Sequence, residues 1–169
     1  MKVTYTKAEM LALWRRIRAV EPLRLDCVVG RTDGPDLDAE LTREMRTWYL
    51  DLLDHGPLEH VAPEEAADQA TVSTPTDSIV LVTAPEGTRR VLSVEFEGWP
   101  VPLAPQTEPA LLARRASNPF LVRPDAAIIG PDKIAVIGVV GSLTSLVCVI
   151  DPGPDLYIFD DAALPFNLG

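Results

Sequence analysis

The fold of this chain is decided between residues 76 and 103, which read TDSIVLVTAPEGTRRVLSVEFEGWPVPL. Two runs rich in β-branched residues, separated by a proline-glycine turn, predict two strands. In the second run Leu92, Val94 and Phe96 alternate with polar residues, as in a strand that has one solvated face. The prolines after Trp99 are incompatible with a central strand, so they mark the end of this β-rich segment. It contains no motif for catalysis, metal binding or phosphate binding.

The rest of the C-terminal two-thirds continues in short β-rich runs. Further strands are predicted at residues 71–73, 126–129, 134–137, 145–150 and 156–159. The segment from Gly130 to Lys133 is typical of a hairpin connection between two of these strands. The segment from Glu108 to Ala116 is rich in Ala, Leu and Arg, and it predicts one short helix near residues 107–116.

Two amphipathic helices are predicted before this β-rich part. The sequence TKAE from Thr6 fits a capping box, and it starts a helix expected to run to about Val20. A second helix is expected to begin at Asp36, after Gly-Pro, and to end near Asp54 before another Gly-Pro pair. Each helix carries an apolar stripe with spacings of three and four residues. The stripes consist of Met10, Leu13, Trp14, Ile17 and Val20, and of Leu37, Leu41, Met45, Trp48 and Leu52.

These patterns together predict an α+β fold in a single domain, residues 1–169. The N-terminal amphipathic helices occupy a helical part, residues 1–69. They pack with a mainly antiparallel β-sheet or small β-sandwich, formed by residues 70–169 in the C-terminal two-thirds. A chain of 169 residues is long enough to bury a core without disulfides.

The charge balance and the hydropathy restrict the expected partners. The chain has a formal net charge of −10 at pH 7, whereas binding through nucleic-acid phosphates needs clustered Lys and Arg. We therefore expect no free nucleic acid as a partner. No window approaches the roughly 20 apolar residues of a membrane span, so no membrane partner is expected either. Because the N-terminus lacks the apolar core of a signal peptide, we expect the protein to be cytoplasmic when it is made.

The sequence offers little for catalysis or metal binding. His55 and His60 are the two histidines, and although acids lie nearby, their spacing fits no established metal-ligand pattern. Cys27 and Cys148 each lie in an apolar run that suits a small buried residue, and the sequence leaves open whether they approach each other. We predict no metal, no cofactor and no enzymatic activity. The alternative is a small hydrolase that uses His55 or His60 with a neighbouring acid.

Two features of the second half have side chains suited to protein contacts. Trp99, next to a proline, either caps the sheet or is offered to a partner. Arg114, Arg115 and Arg123 form the basic cluster of this half. They are either a solvated helix face or partners for the acids of a neighbouring subunit.

Four segments, preceded by the two helices, carry a family resemblance. They are VTAPEGTRRVLSV at 82–94, EGWPVP at 97–102, ASNPF at 116–120 followed by Arg123-Pro124, and AAIIGPDKIAV at 126–136. In this order they resemble the head-to-tail connector or ring proteins of tailed phages and prophages of Bacteroidetes-like bacteria, a family of virion structural proteins. The resemblance covers most of residues 37–151.

This resemblance implies a non-enzymatic structural protein that assembles through protein-protein contacts. Copies would join head to tail in a ring, bind portal or tail proteins, and reside in the virion. The residues expected to make contacts are Trp99, Phe120, Arg114, Arg115 and Arg123. Proline-rich loops suit this role because their preset backbone angles reduce the entropy lost on docking. A small bacterial protein-binding module, adaptor or immunity-like, is the alternative that predicts a monomer with one specific partner.

Overall fold

The computed structural model describes residues 2–17, 36–76, 78–117, 123–139 and 141–160. The helices in this part of the chain are α1 (Lys7–Ile17), α2 (Leu37–His55) and α3 (Pro109–Ala116), with a 3-10 turn at Ala67–Gln69. The strands are β1 (Lys2–Thr6), β2 (Glu64–Glu65), β3 (Thr71–Thr76), β4 (Ile79–Thr83), β5 (Thr88–Phe96), β6 (Trp99–Leu103), β7 (Asp125–Ile128), β8 (Lys133–Ile137), β9 (Leu143–Ile150) and β10 (Leu156–Asp160). The strands named here pair in antiparallel fashion. The predicted α+β class is confirmed.

The chain divides into two compact units. Unit 1 combines Met1–Ala62 with Pro152–Gly169, and unit 2 is Pro63–Asp151. Unit 1 therefore draws strand β1 and helices α1 and α2 from one end of the chain and strand β10 from the other, and β1 pairs with β10. The strand predicted at residues 156–159 belongs with the helices, although the sequence placed it with the β-rich part. Strand β1 was not predicted.

Both predicted helix starts are confirmed by their capping hydrogen bonds. The Thr6 amide donates to Glu9 Oε2 at 2.8 Å, and the Glu9 amide donates to Thr6 Oγ1 at 3.3 Å. Hydrogen bonds from the backbone amide and the hydroxyl of Thr6 lower the pKa of Glu9. At the start of α2, the Asp36 carboxylate accepts from the amides of Asp38 and Ala39. The predicted end of α1 at Val20 lies outside the described residues.

The core of unit 1 is rich in aromatic side chains, and Tyr49 lies at its centre with no exposed surface. Its ring contacts Tyr157 and Phe159 edge to face, at centroid distances of 4.9 and 5.4 Å. Its hydroxyl accepts from the Ile158 amide at 2.9 Å and donates to the Ile158 carbonyl at 3.1 Å. The buried residues of α2 are Leu41, Met45, Tyr49 and Leu53, whereas Trp48 and Leu52 of the predicted stripe are only partly buried. Leu37, the first residue of the helix, is 48% exposed.

Unit 2 is a β-sandwich of two four-stranded sheets. Their strand orders are β2-β9-β5-β6 and β3-β4-β8-β7. One buried cluster draws side chains from both sheets, and therefore the sheets pack face to face. The cluster consists of Val82, Ala84, Val94, Phe96, Ala126, Ile134, Val136 and Leu146. Of the two predicted β architectures, the small sandwich is the one formed, by residues 63–151.

The stretch that decided the fold spans both sheets. Strands β4 and β5 lie in different sheets, so the turn between them crosses the sandwich, and Gly87 adopts a φ of 85° there. Val94 and Phe96 are fully buried, as predicted. Leu92 is only partly buried, because the register shifts between Val91 and Ser93 and leaves Leu92 as the extra residue. The predicted hairpin from Gly130 to Lys133 is confirmed by the pairing of β7 with β8.

Candidate interaction surface

Trp99 opens the edge strand β6, in a hairpin with β5. It pairs with Phe96 across a two-residue turn, Glu97-Gly98. The indole is partly exposed, and its Nε1 is buried without a hydrogen-bond partner among the described residues. Trp99 is therefore partly covered and partly exposed, which is compatible with either of the two roles that the sequence left open.

Strand β6 exposes an apolar, proline-rich surface. Val101 is 53% exposed, and Pro100 and Pro102 on either side of it are exposed as well. Sequence analysis did not predict this strand, because prolines argue against a central strand, and β6 is found at the edge of its sheet. Neither proline has an N–H group, so β6 offers few donors to a further strand.

The chain then crosses to the other sheet beside strand β7. The Gln106 amide donates to the Ala126 carbonyl, and the Ile128 amide donates to the Gln106 carbonyl, both at 2.8 Å. The three backbone steps from Leu103 to Gln106 span at most about 10 Å, which is the usual distance between packed sheets. Strands β6 and β7 therefore lie on the same side of the sandwich.

This side is fixed by a buried carboxylate. Asp125, only 7% exposed, accepts from the Gln106 side-chain amide at 3.0 Å through each of its oxygens. It also accepts from the Ala126 amide at 2.9 Å. The side chains of Gln106 and Asp125 thus hold the segment after β6 against β7. No local sequence pattern indicated this contact, because Gln106 and Asp125 are 19 residues apart.

The predicted arginines lie on this same side. Arg114 is exposed on α3, which lies against β7, and Arg123 is exposed just before β7. Neither makes an ion pair with another residue of the described part of the chain. Arg115 lies on α3, and Phe120 lies outside the described residues. We call the surface formed by β6, α3 and the start of β7 the basic face.

The charge of the basic face is opposite to that of the whole chain. From Trp99 to Asp125 the sequence has three arginines and two acids, of which Glu108 is exposed and Asp125 is buried, whereas the chain carries a net charge of −10. Glu97, at the preceding turn, accepts from the Ser142 hydroxyl at 3.0 Å. An arginine-bearing surface next to a partly exposed tryptophan is suited to binding an acidic protein surface.

The opposite side of the sandwich has β2 and β3 as its edges, and β2 consists of two acids, Glu64 and Glu65. Glu65 accepts from the Ser145 hydroxyl at 2.6 Å and from the Leu146 amide at 2.7 Å. Burial acts to raise the pKa of Glu65, but these hydrogen bonds and those from the amides of Ala67 and Ala66 outweigh it and lower the pKa. Sequence analysis missed this contact, which joins residues 80 positions apart.

The two histidines do not converge on a nucleophile in the described structure. The His55 side chain is 78% exposed, and its Nδ1 lies 3.1 Å from an Asp51 oxygen one helical turn away. His60 is less exposed, and its Nε2 lies 4.0 Å from a Glu59 oxygen. Among the described residues, no group of three His, Cys, Asp or Glu side chains is placed to hold a metal ion.

Cys148 is a free, fully buried thiol on β9. Burial raises its pKa, and the nearby charges of Glu64 and Glu65 raise it further, against a hydrogen bond with Thr88. A thiol in such surroundings is mostly protonated and unreactive at neutral pH. Cys27 lies outside the described residues.

Within the ranges that the structure describes, no helix has both the length and the apolar character to cross a membrane. Comparison of the sequence with protein-family models and with curated proteins finds no match.

Proposed function

We propose that this protein is a non-enzymatic structural protein of a phage or prophage virion, of the head-to-tail connector kind. In this role it self-associates and binds portal or tail proteins. The observation that carries the proposal is the basic face, where the fold gathers Trp99, Arg114 and Arg123 on one side of unit 2. The virion context comes from the resemblance of the sequence to the connector family.

The charge of the basic face favours a copy of the same chain as one of its partners. A chain with a net charge of −10 offers acidic surface outside this face, so that a contact between the basic face and another surface of a second copy is electrostatically favourable. Such a contact joins two different surfaces. Heterologous contacts of this type form rings when the rotation between neighbours closes.

The apolar part of the basic face supplies the remaining contact chemistry. Tryptophan and arginine are the residue types that most often dominate binding energy in protein interfaces. Pro100 and Pro102 restrict the backbone beside Trp99, so that little conformational freedom is lost when this strand docks. Because those prolines also remove donors from β6, we expect contact through side chains rather than through an added strand.

The proposal is tested by measuring the mass of the protein in solution over a range of concentrations and salt, with electron microscopy of negatively stained samples for rings. Retention on purified portal and tail proteins encoded beside this gene is measured in parallel. We expect Trp99→Ala, or the pair Arg114→Glu and Arg123→Glu, to weaken association by about 30-fold or more, the effect of losing a dominant contact residue.

The matched control is the pair Arg16→Glu and Arg43→Glu, which makes the same charge change on exposed residues of α1 and α2 in unit 1. It should leave association unchanged. Equal losses from the control and from the pair on the basic face would assign the effect to net charge alone. A protein that stays monomeric, is not retained by portal or tail proteins, and lies in a genome region without portal and capsid genes would contradict the proposal.

A further inference from the structure

The four edge strands of the sandwich differ in whether they can accept another strand. Strand β2 is only two residues long. Strand β6 contains Pro100 and Pro102, and β7 is covered by Gln106, which exchanges two backbone hydrogen bonds with it at 2.8 Å. Short strands, prolines and covering segments are the usual means by which a protein closes a sheet edge. Within the described residues, three of the four edges are closed by them.

Strand β3 is the fourth edge, and its residues are exposed. It pairs with β4 on one side, and all six of its residues, Thr71 to Thr76, are exposed to solvent. Four of the six are β-branched and none is charged. β-Branched residues are the ones that best suit strand pairing, and an exposed edge with unpaired backbone groups is a template for it. Val72, at 42% exposure, adds an apolar side chain.

The length of the open edge limits what it can bind. Thr71, Val72 and Ser73 pair in regular register with β4, after which the register shifts before Thr76, and Pro75 lies in the irregular part. The open, regular edge is therefore about three or four residues long. This length fits a short extended segment rather than the broad edge of another sheet.

The charge beside this edge indicates the chemistry of its occupant. Between residues 63 and 76 the sequence has three acids, Glu64, Glu65 and Asp68, and no basic residue. Asp68 is exposed in the 3-10 turn directly before β3. A segment with Lys or Arg beside its extended part complements these charges, whereas an acidic segment is repelled.

We propose that β3 accepts a short, extended, basic segment of a partner protein as an additional strand. Main-chain hydrogen bonds to β3 supply the affinity, and the acids before the strand supply the charge preference. This site lies on the side of unit 2 opposite the basic face, and it does not depend on the function proposed for that face.

The test uses a synthetic peptide of two lysines followed by six alternating threonines and valines, added to the full-length protein at millimolar concentration and low salt. Two matched peptides carry glutamates in place of the lysines, or N-methyl groups on alternate amides. Amide exchange and NMR chemical shifts at residues 71–73 report binding. We expect the lysine peptide to protect these amides from exchange. The glutamate peptide should bind about fivefold more weakly, the effect of one exposed charge pair. The N-methylated peptide should not bind. Asp68→Lys should abolish the preference for lysine.

Two proline variants test the role of the backbone. In an edge strand, alternate N–H groups face the neighbouring strand and the free side, so one of Val72→Pro and Ser73→Pro removes an outward N–H and spares the pairing with β4. The variant that keeps the wild-type urea midpoint should lose peptide binding. Trp99→Ala and Arg114→Glu should bind the peptide normally, which separates this site from the basic face. The proposal is overturned if the peptide does not protect residues 71–73, or if the N-methylated peptide binds as well as the unmodified one. It is also overturned if protection depends on protein concentration alone, because that result reports pairing of two β3 strands.

Discussion

Removal of the Tyr49 hydroxyl is the sharpest test of how unit 1 is held together. In Tyr49→Phe the aromatic ring and its edge-to-face contacts stay, while the amide and the carbonyl of Ile158 both lose their partner at 2.9 and 3.1 Å. Tyr49 has no exposed surface, so water does not readily replace the hydroxyl. One unsatisfied buried backbone group costs about 1–3 kcal/mol. We therefore expect a loss of about 2–3 kcal/mol in the free energy of unfolding.

The assay is urea unfolding followed by tryptophan fluorescence, because Trp14 and Trp48 both lie in unit 1 and contact each other. The matched control is Tyr5→Phe. Tyr5 contacts Phe159 at a centroid distance of 6.1 Å, and its hydroxyl makes no hydrogen bond to another described residue. Removal of the Tyr5 hydroxyl should therefore lower the free energy of unfolding by less than about 0.5 kcal/mol.

Amide exchange at Ile158 provides a second, local measurement. Its rate should rise in Tyr49→Phe, because the amide no longer donates to the hydroxyl. If Tyr49→Phe costs no more than Tyr5→Phe and leaves the exchange of Ile158 unchanged, the hydroxyl does not stabilise strand β10 and the reasoning is wrong.

Two further predictions concern unit 2. The pKa of Glu65 is lowered from the ordinary value of 4.5, so its contribution to stability is complete above about pH 4.5 and is lost as the pH falls through the folded-state pKa. The urea midpoint of Glu65→Gln, measured between about pH 3 and pH 6, should fall less steeply on acidification than that of the wild type or of the exposed control Glu86→Gln. An unchanged slope would contradict a stabilising role of the Glu65 carboxylate. Gly141 adopts a φ of +113°, and an added Cβ would lie 3.2 Å from Glu97 Cβ, so Gly141→Ala should lower the unfolding free energy by about 1–2 kcal/mol. In the control Gly130→Ala, the added Cβ meets nothing closer than 3.6 Å, so the unfolding free energy should change by less than about 0.5 kcal/mol. Equal effects of Gly141→Ala and Gly130→Ala would show that the backbone conformation of Gly141 does not cause the loss.

The elements that sequence analysis predicted well are those specified by neighbouring residues. The capping box at Thr6 depends on a partner three positions away, and the alternation of Val94 and Phe96 depends on the next residue but one. Strand pairing is different, because β5 pairs with β9, more than 40 residues further on, and the pattern of neither strand specifies its partner. The bulge at Leu92 has the same origin, since a register shift is defined only when both strands are known.

The candidate site likewise combines features that residue type predicts with features that exist only in the assembled fold. Residue type predicted Trp99 and the arginines as candidate contact residues, but only the topology shows that β6, α3 and β7 lie on one side of the sandwich. The open edge at β3 was not recognised, because exposure of a strand edge is a property of the assembled sheet. Gln106 and Asp125 were missed for the related reason that their contact forms only when β6 and β7 are placed together.

The split composition of unit 1 has a consequence for synthesis on the ribosome. Strand β1 is synthesised long before its partner β10, so it stays unpaired until residues 156–160 have been translated. Unit 2 is continuous in sequence, and strands β2 and β9 near its two ends pair with each other, so it is expected to fold while β1 and the helices still wait for their last strand. Until translation reaches β10, the apolar face of α2 around Tyr49 stays uncovered, and nascent chains stalled shortly before residue 156 should be the ones most readily bound by chaperones.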